Sequence, residues 1–357
     1  MLAPIVVIEG FLRVALHAPH GYFRFMTADG ATLYPPSATI PMRWGAIPYE
    51  VHTNTLGFRG GEIERFAPTG RSRILALGDS VTDGFFSDNE ATYPAQLQKV
   101  LRGQGRDVEV VNAARGGGSI DREYAILREL GFPLRPELVL LTFVTNDIFD
   151  IRERSLENLL TRDLRPHAKG LSAFLLTETA LGEWVTDRAL RLRFRSYRAA
   201  DRTGEDSIGA DDARYAIPGG TDHEDNVARF RQLTKNMDGM ILEEPFSPEV
   251  NEILGRYLAI LGRMNDDCKV RDARLVFVYF PAYSQVYDRG TSLAIRDLLQ
   301  RECLSRAIPF IDLTEPFRQE GQSAVLHLAP VDFHPNPLGN AVMARAVGDR
   351  LGTLLGG

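Results

Sequence analysis

The sequence predicts an α/β protein. The expected form is a three-layer α/β/α sandwich on a mainly parallel five-stranded sheet, with an N-terminal arm and a helical insertion. Three observations carry that expectation. Five short apolar runs lack the alternation of a half-solvated strand, so each reads as a strand covered on both faces. Helical stretches alternate with the runs, the pattern of βαβ units. The residues able to do chemistry fall just past the carboxyl ends of these strands, where open α/β sheets bind their ligands.

The runs are RILALGD (73–79), VEVVNAA (108–114), LVLLTFVTND (138–147), LVFVYFP (275–281) and PFIDL (309–313). Helices are expected at about 93–104, 120–130, 249–266 and 290–306. A last helix runs from Pro337 to Leu355, with Leu338, Val342, Ala346, Leu351 and Leu355 at steps of four or five. Residues 1–70 are rich in Pro and Gly and show no sustained period, so they read as an extended arm with short strands packed on something else. Residues 71–150 and 249–357 then form the main domain. Residues 151–248 interrupt the alternation and read as an insertion or cap subdomain near the strand ends. Within it, SLENLLT and ETALGEWVTDRALRLRFRSY are weak helices, and a disordered loop is credible only for 203–226.

Composition narrows the function. The 357 residues are 44% hydrophobic and 25% charged, which suits one large domain with an insertion, or two domains. A net charge of -6 argues against a nucleic-acid surface. The arginines between Arg188 and Arg202 are followed at once by acids and read as a solvated helix face. Cys268 and Cys303 give neither a disulfide framework nor metal-ligand spacing, and are expected to be reduced core residues or to lie at a helix end. No histidine pair has metal-binding separation, so no metal and no cofactor are expected. The N-terminal MLAPIVVIEGFLRVAL is interrupted by Glu9 and Arg13. It is too short to span a bilayer and lacks the positive region of a signal peptide, though it fits the tail of a membrane anchor.

Four places converge on one rim. Ser80 follows the first strand, and a serine hydroxyl becomes a nucleophile only when a base removes its proton. By itself G-D-S also fits a turn or helix N-cap. His334 sits in APVDFHPNPLGN, where Asn336 and Pro337 read as an N-cap followed by proline at the first helical position, so the histidine lies on a fixed loop. Asp332, two residues earlier, can hold the imidazole tautomer. Gly116-Gly117-Gly118-Ser119 can bring a backbone N–H to a developing oxyanion, Asn146 offers a side-chain amide, and the Ser80 N–H is a third donor.

These blocks resemble the SGNH hydrolases of the GDSL esterase superfamily. GDSVTDG matches the first block with Ser80. VVNAARGGGS matches the second with Gly117, or with Gly116 or Gly118 by a shift of one. TFVTND matches the third with Asn146, although Val144 stands where a glycine is usual. VDFHPNPLGN matches the last with Asp332 and His334. The D-x-H spacing is one residue shorter than in many members and resembles a variant in some bacterial relatives, including polysaccharide O-acetyltransferase-like members. Asp312 is the reserve candidate for the acid. TNTLGFRGGEIE resembles an N-terminal extension of one bacterial subgroup. The resemblance spans about 50–150 and 270–355 and leaves 151–248 unexplained.

It implies ester hydrolysis through an acyl-enzyme on Ser80, with His334 as base, Asp332 as orienter, an oxyanion hole of Ser80, Gly117 and Asn146, and a small-molecule or carbohydrate ester as substrate. Three other readings stay open. These are an O-acyltransferase with the same triad, a carbohydrate-binding relative, and a flavodoxin-like nucleotide binder, for which no G-x-x-x-x-G-K is present. Phe85, Phe86 and Tyr283 are candidates for either an acyl pocket or the core.

Overall fold

Each of the five apolar runs forms a strand, and all five join one sheet. The computed structural model describes residues 2–14, 33–44, 47–68, 70–151, 179, 181, 215, 219–235, 238–330 and 332–354. Its strands are β1 (Thr39–Trp44), β2 (Ile47–His52), β3 (Ser72–Leu77), β4 (Val108–Asn112), β5 (Leu138–Phe143), β6 (Arg274–Tyr279) and β7 (Phe310–Asp312). Its helices are α1 (Leu2–Val14), α2 (Ser80–Asp83), α3 (Tyr93–Gly103), α4 (Ile120–Ile126) and α5 (Asp147–Asp150), then α6 (His223–Thr234), α7 (Pro248–Val270), α8 (Tyr283–Tyr287), α9 (Ala294–Ser305), α10 (Thr314–Glu320) and α11 (Pro337–Leu354).

The sheet order is β4-β3-β5-β6-β7, and every pairing is parallel. Ile74 lies between Val110 and Leu138, and Leu140 lies opposite Val276. Successive side chains serve opposite faces. Leu75, Leu77, Val139, Leu141, Phe143 and Phe277 enter one core with α4, α7 and α9. Ile74, Leu138, Leu140, Val276 and Val278 enter the other with α3 and α11. Because both faces are covered, the strands read as continuous apolar runs, which is why they were visible in the sequence. This strand order reverses direction between β3 and β5, so the ligand crevice belongs at their carboxyl ends.

All five strands of the sheet stop short of their runs, and at two of them the cause is visible. β3 ends at Leu77 rather than 79 and β5 at Phe143 rather than 147. In each case an aspartate folds its carboxylate back on the turn: Asp79 accepts from the Val81 N–H at 3.0 Å and Asp147 from the Val144 N–H at 3.1 Å. Such local bonds give the backbone an alternative to the ladder. The expected cap of the last helix is present, with the Gly339 N–H donating to Asn336 Oδ1 at 2.9 Å.

The N-terminal part departs from a simple extended arm. Leu2–Val14 is helical, with Pro4 in the first turn, where a missing N–H is tolerated. Glu9 accepts from the Leu181 N–H at 3.1 Å and Leu12 is buried. Val7, Ile8 and Phe11 on the same helix are exposed. β1 and β2 pair antiparallel as a separate hairpin, and β2 alternates buried and exposed residues. Its inner residues Ile47, Tyr49 and Val51 form a third core with Tyr34, Phe85 and Phe86. The chain then bridges from Arg59 to Asn112 at the edge of the main sheet.

Within 151–248, the weak helices and most of the Gly/Asp-rich stretch lie outside the described residues. The part of 203–226 that is described ends in the first turn of α6, whose N-cap Asp222 accepts from the Asp225 N–H. Cys268 and Cys303 are free and buried, and burial pushes both thiols up to about 12. Among the described residues no helix is long and apolar enough to cross a membrane.

Candidate active site

The nucleophile turn is built by two residues that flank Ser80. Asp79 caps α2 from one side, and Gly84 closes it from the other, in the left-handed region with φ 89°. A Cβ at Gly84 would stand 2.4 Å from Thr92 Cγ2, so the turn needs glycine there on both conformational and steric grounds. Ser80 is thereby held at the start of a single helical turn, at the carboxyl end of β3. Its Oγ lies 2.7 Å from His334 Nε2 and 3.1 Å from Asp79 Oδ2.

His334 stands on the loop ahead of α11. This loop is braced by its own backbone, with the Leu328 N–H donating to His334 O at 3.0 Å and the Asp332 N–H to Leu328 O at 3.2 Å. Asp332 Oδ1 takes the backbone N–H of His334 at 2.9 Å and also bonds the ring Nδ1. Burial pushes the Asp332 carboxyl up, but the His334 charge and the hydrogen bonds from His334 and the Phe333 backbone outweigh it and leave the group below its ordinary value. An ionised Asp332 facing Nδ1 favours the tautomer with its proton on Nδ1, which presents Nε2 to Ser80 as an acceptor. The reserve acid is engaged elsewhere: Asp312 accepts from the Thr314 N–H at 2.8 Å and O–H at 2.6 Å, and pairs with Arg296 at 3.4 Å.

Aromatic rings wall this arm. The centroids of Phe85 and Phe86 lie 5.8 and 5.3 Å from that of His334. Phe86 holds φ 65°, a conformation that costs a bulky residue energy, and its carbonyl accepts from the Tyr215 O–H at 2.9 Å. Phe333, between the acid and the base, packs 5.0 Å from both Phe230 of α6 and Tyr283 of α8. Tyr283 is itself buried. Of the three side chains offered as pocket or core, all are core residues placed against the catalytic loop.

Gly117 is exposed with φ 73°, a conformation that fits glycine. The N–H of neighbouring Gly116 is spoken for, donating to Asp83 Oδ2 at 3.0 Å. That removes Gly116 from the candidate donors. The Asn146 amide donates to Asp79 Oδ2 at 3.1 Å. Ser119 donates its hydroxyl proton to Asp147 O at 2.6 Å. The three loops are therefore tied in a ring: nucleophile turn to glycine loop through Asp83, glycine loop to β5 turn through Ser119, and β5 turn back to nucleophile turn through Asp79.

Residues 76–200 match the family described as GDSL-like Lipase/Acylhydrolase. The matched stretch holds Ser80, Gly117 and Asn146 but ends well before His334, so the likeness to that family covers about a third of the chain. An arylesterase of Vibrio mimicus is 33% identical over 75 residues, which is 21% of this chain and 38% of that relative. Among solved structures, TesA aligns at 15% identity over 79% of this chain and 99% of its own, with a TM-score of 0.42. A catalytic mutant of Axe2, an acetylxylan esterase from Geobacillus stearothermophilus, aligns at 14% identity over 79% and 94% with a TM-score of 0.42.

Beside these blocks stand residues that sequence reasoning missed. Asp83, inside GDSVTDG, lies fully buried beneath the site, joined by Arg59 and Tyr34 from the N-terminal segment. The signal was present in TNTLGFRGG, but nothing local says that its arginine turns inward.

Proposed function

We propose that the protein hydrolyses carboxylic esters through an acyl-enzyme on Ser80. Ser80 Oγ attacks the ester carbonyl while its proton passes to His334 Nε2. Asp332 stabilises the imidazolium that forms and keeps the ring oriented. The negative oxygen of the tetrahedral intermediate is met by the N–H groups of Ser80 and Gly117 and by the Asn146 amide, which Asp79 holds in place. As the intermediate collapses, the alcohol leaves with the proton from His334. Water then attacks the acyl-enzyme with His334 again as base, the carboxylic acid departs, and Ser80 regains its proton.

The single observation behind this reading is the 2.7 Å approach of Ser80 Oγ to His334 Nε2, with Asp332 on the far nitrogen of the same ring. The match of residues 76–200 to the GDSL-like Lipase/Acylhydrolase family supports ester chemistry in general, and the arylesterase relative suggests phenyl acetate as a first substrate. The test is active-site labelling with a fluorophosphonate alongside phenyl acetate turnover. The purified protein should label at Ser80 and turn over the ester, while Ser80→Ala should lose labelling and on the order of 10⁶-fold in kcat. Esterase activity that survives in Ser80→Ala sinks the assignment. Turnover that stays negligible until an oligosaccharide is added would instead favour the O-acyltransferase, which uses the same triad with a sugar hydroxyl in place of water.

A further inference from the structure

The arginine that sequence reading left without a role ends under the nucleophile. Arg59 joins the edge of β4 through its backbone bridge to Asn112, and its side chain turns beneath the site. Nη1 donates to Asp83 O at 2.7 Å and Gly84 O at 3.0 Å and lies 3.5 Å from Asp83 Oδ1. Nη2 donates to Ser87 O, and Nε to Asn89 Oδ1 at 2.9 Å. The guanidinium thus takes carbonyls on both sides of the glycine that closes the Ser80 helix. A fan of fixed donors suits the planar fork of arginine and not the single ammonium of lysine.

Asp83 is the other half of the arrangement. Both it and Arg59 are withdrawn from water, with side chains 0% and 1% exposed. Its Oδ2 accepts the Tyr34 O–H at 2.7 Å and the Gly116 N–H at 3.0 Å. Burial first, and then the Asp83 charge, push the Tyr34 hydroxyl well above its ordinary value, so it stays a donor. Arg115 stacks over the Tyr34 ring at 4.0 Å. One carboxylate therefore fixes the distance between the turn that bears Ser80 and the loop that bears Gly117.

The geometry points to Arg59 and Asp83 as a positioning pair, which sets the Ser80 N–H and the Gly117 N–H at the spacing an oxyanion requires. The inference rests on the ester-hydrolase reading above, because only that reading gives the two N–H groups a common target. It assigns the N-terminal segment a part in holding the site: the segment supplies the guanidinium that ties together the backbone of the turn beneath Ser80.

The test compares Arg59→Met, Arg59→Lys, Asp83→Asn and Asp83→Ala with the full-length protein. The readouts are phenyl acetate kinetics normalised to fluorophosphonate-titrated sites, and amide exchange of the peptide covering 113–119. In Arg59→Met and Asp83→Ala, kcat per titrated site should fall about 100-fold with KM changed less than about threefold. The acid limb of the pH profile should stay in place, since the pair does not touch His334 or Asp332. Exchange over 113–119 should quicken by about tenfold or more, in Asp83→Ala because the Gly116 N–H loses its acceptor and in Arg59→Met because the turn that carries that acceptor loses its ties. Arg59→Lys and Asp83→Asn, which keep a cation and an acceptor, should lie between these and the wild type. A purely structural role would lower the titrated fraction and leave kcat per site unchanged, and that result overturns the proposal. If Arg59→Met or Asp83→Ala does not fold, the two conservative variants decide by the same criterion. Wild-type protein that neither labels nor turns over esters defeats the ester reading. Exchange over 113–119 that is unchanged in the variants defeats the positioning pair, whatever the activity.

Discussion

The two sides of the site are held by different forces. The donor side, with Ser80, Gly117 and Asn146, is a ring of hydrogen bonds among three turns at neighbouring strand ends. The acid–base side, with Asp332 and His334, hangs on one loop ahead of α11, fixed by a few backbone bonds and pressed between aromatic rings. The contrast follows from what each side must do. Oxyanion donors work through fixed geometry and lose their value when they reorganise. In the proposed reaction the imidazole instead changes charge in every cycle, so its surroundings need one well-placed carboxylate and room for the ring.

The comparison breaks most sharply at the carboxylate. Asp332→Asn keeps the shape of the loop but offers Nδ1 an amide, which no longer fixes the tautomer. On that account kcat should fall by about 10⁴-fold with little change in KM, measured as phenyl acetate turnover at pH 7. A loss below about tenfold would mean that another group orients His334. On the donor side, the loss from one member should be smaller because the others remain. Asn146→Ala should cost about 10²- to 10³-fold in kcat, on the order of 3 to 4 kcal/mol of transition-state stabilisation. The fluorophosphonate rate should fall with it, since the phosphonate oxygen occupies the same place.

Phe333→Ala tests the aromatic wall alone. It removes the ring that meets Phe230 and Tyr283 but neither the acid nor the base. We expect kcat to drop by about tenfold through a less ordered His334, together with a stability loss of about 2 to 3 kcal/mol, as read in urea melts. Full activity with the stability loss would show that the wall serves packing only.

What was legible in the sequence divides along the same line. The strands and the main helices could be read because the sheet is buried on both faces, which leaves unbroken apolar runs. Ser80, Asn146 and His334 were legible because strand ends and a capped helix mark where they must lie. Arg59 and Asp83 were not, since a charged residue in a Gly-rich stretch reads as solvated unless its partner, 24 positions away, is known to meet it. The grip of Phe230 and Tyr283 on Phe333 was hidden for a related reason. α6 lies in the segment whose pattern was weakest, and ring contacts across 103 positions (Phe230 to Phe333) and 50 positions (Tyr283 to Phe333) leave no local period.

The acid–base loop carries one more dependence that the donor ring lacks. His327 starts that loop, is buried at 1% exposure among Phe280, Tyr283 and Phe317, and has Nδ1 3.3 Å from the Tyr287 hydroxyl. Burial first, then the charges of His223 and His334, bring it down to about 3 from an ordinary value of 6.5. In the folded protein it is therefore neutral well below the pH at which the unfolded chain protonates it. Between those two values the unfolded state binds the extra proton, so this contribution is fully present above pH 6.5 and is lost as pH falls towards 3. The limiting slope is one proton, about 1.4 kcal/mol per pH unit. Asp332 acts in a lower window, because its depressed value makes its contribution vanish only as pH drops below the ordinary carboxylate range. Urea melts of the wild type from pH 6.5 down to about 4.5 should show stability falling with pH, and His327→Gln should flatten that slope whatever its absolute stability. An identical slope in both proteins would mean that His327 is hydrated or charged in the fold, and that the loop beneath the catalytic histidine is less tightly closed than its aromatic packing implies.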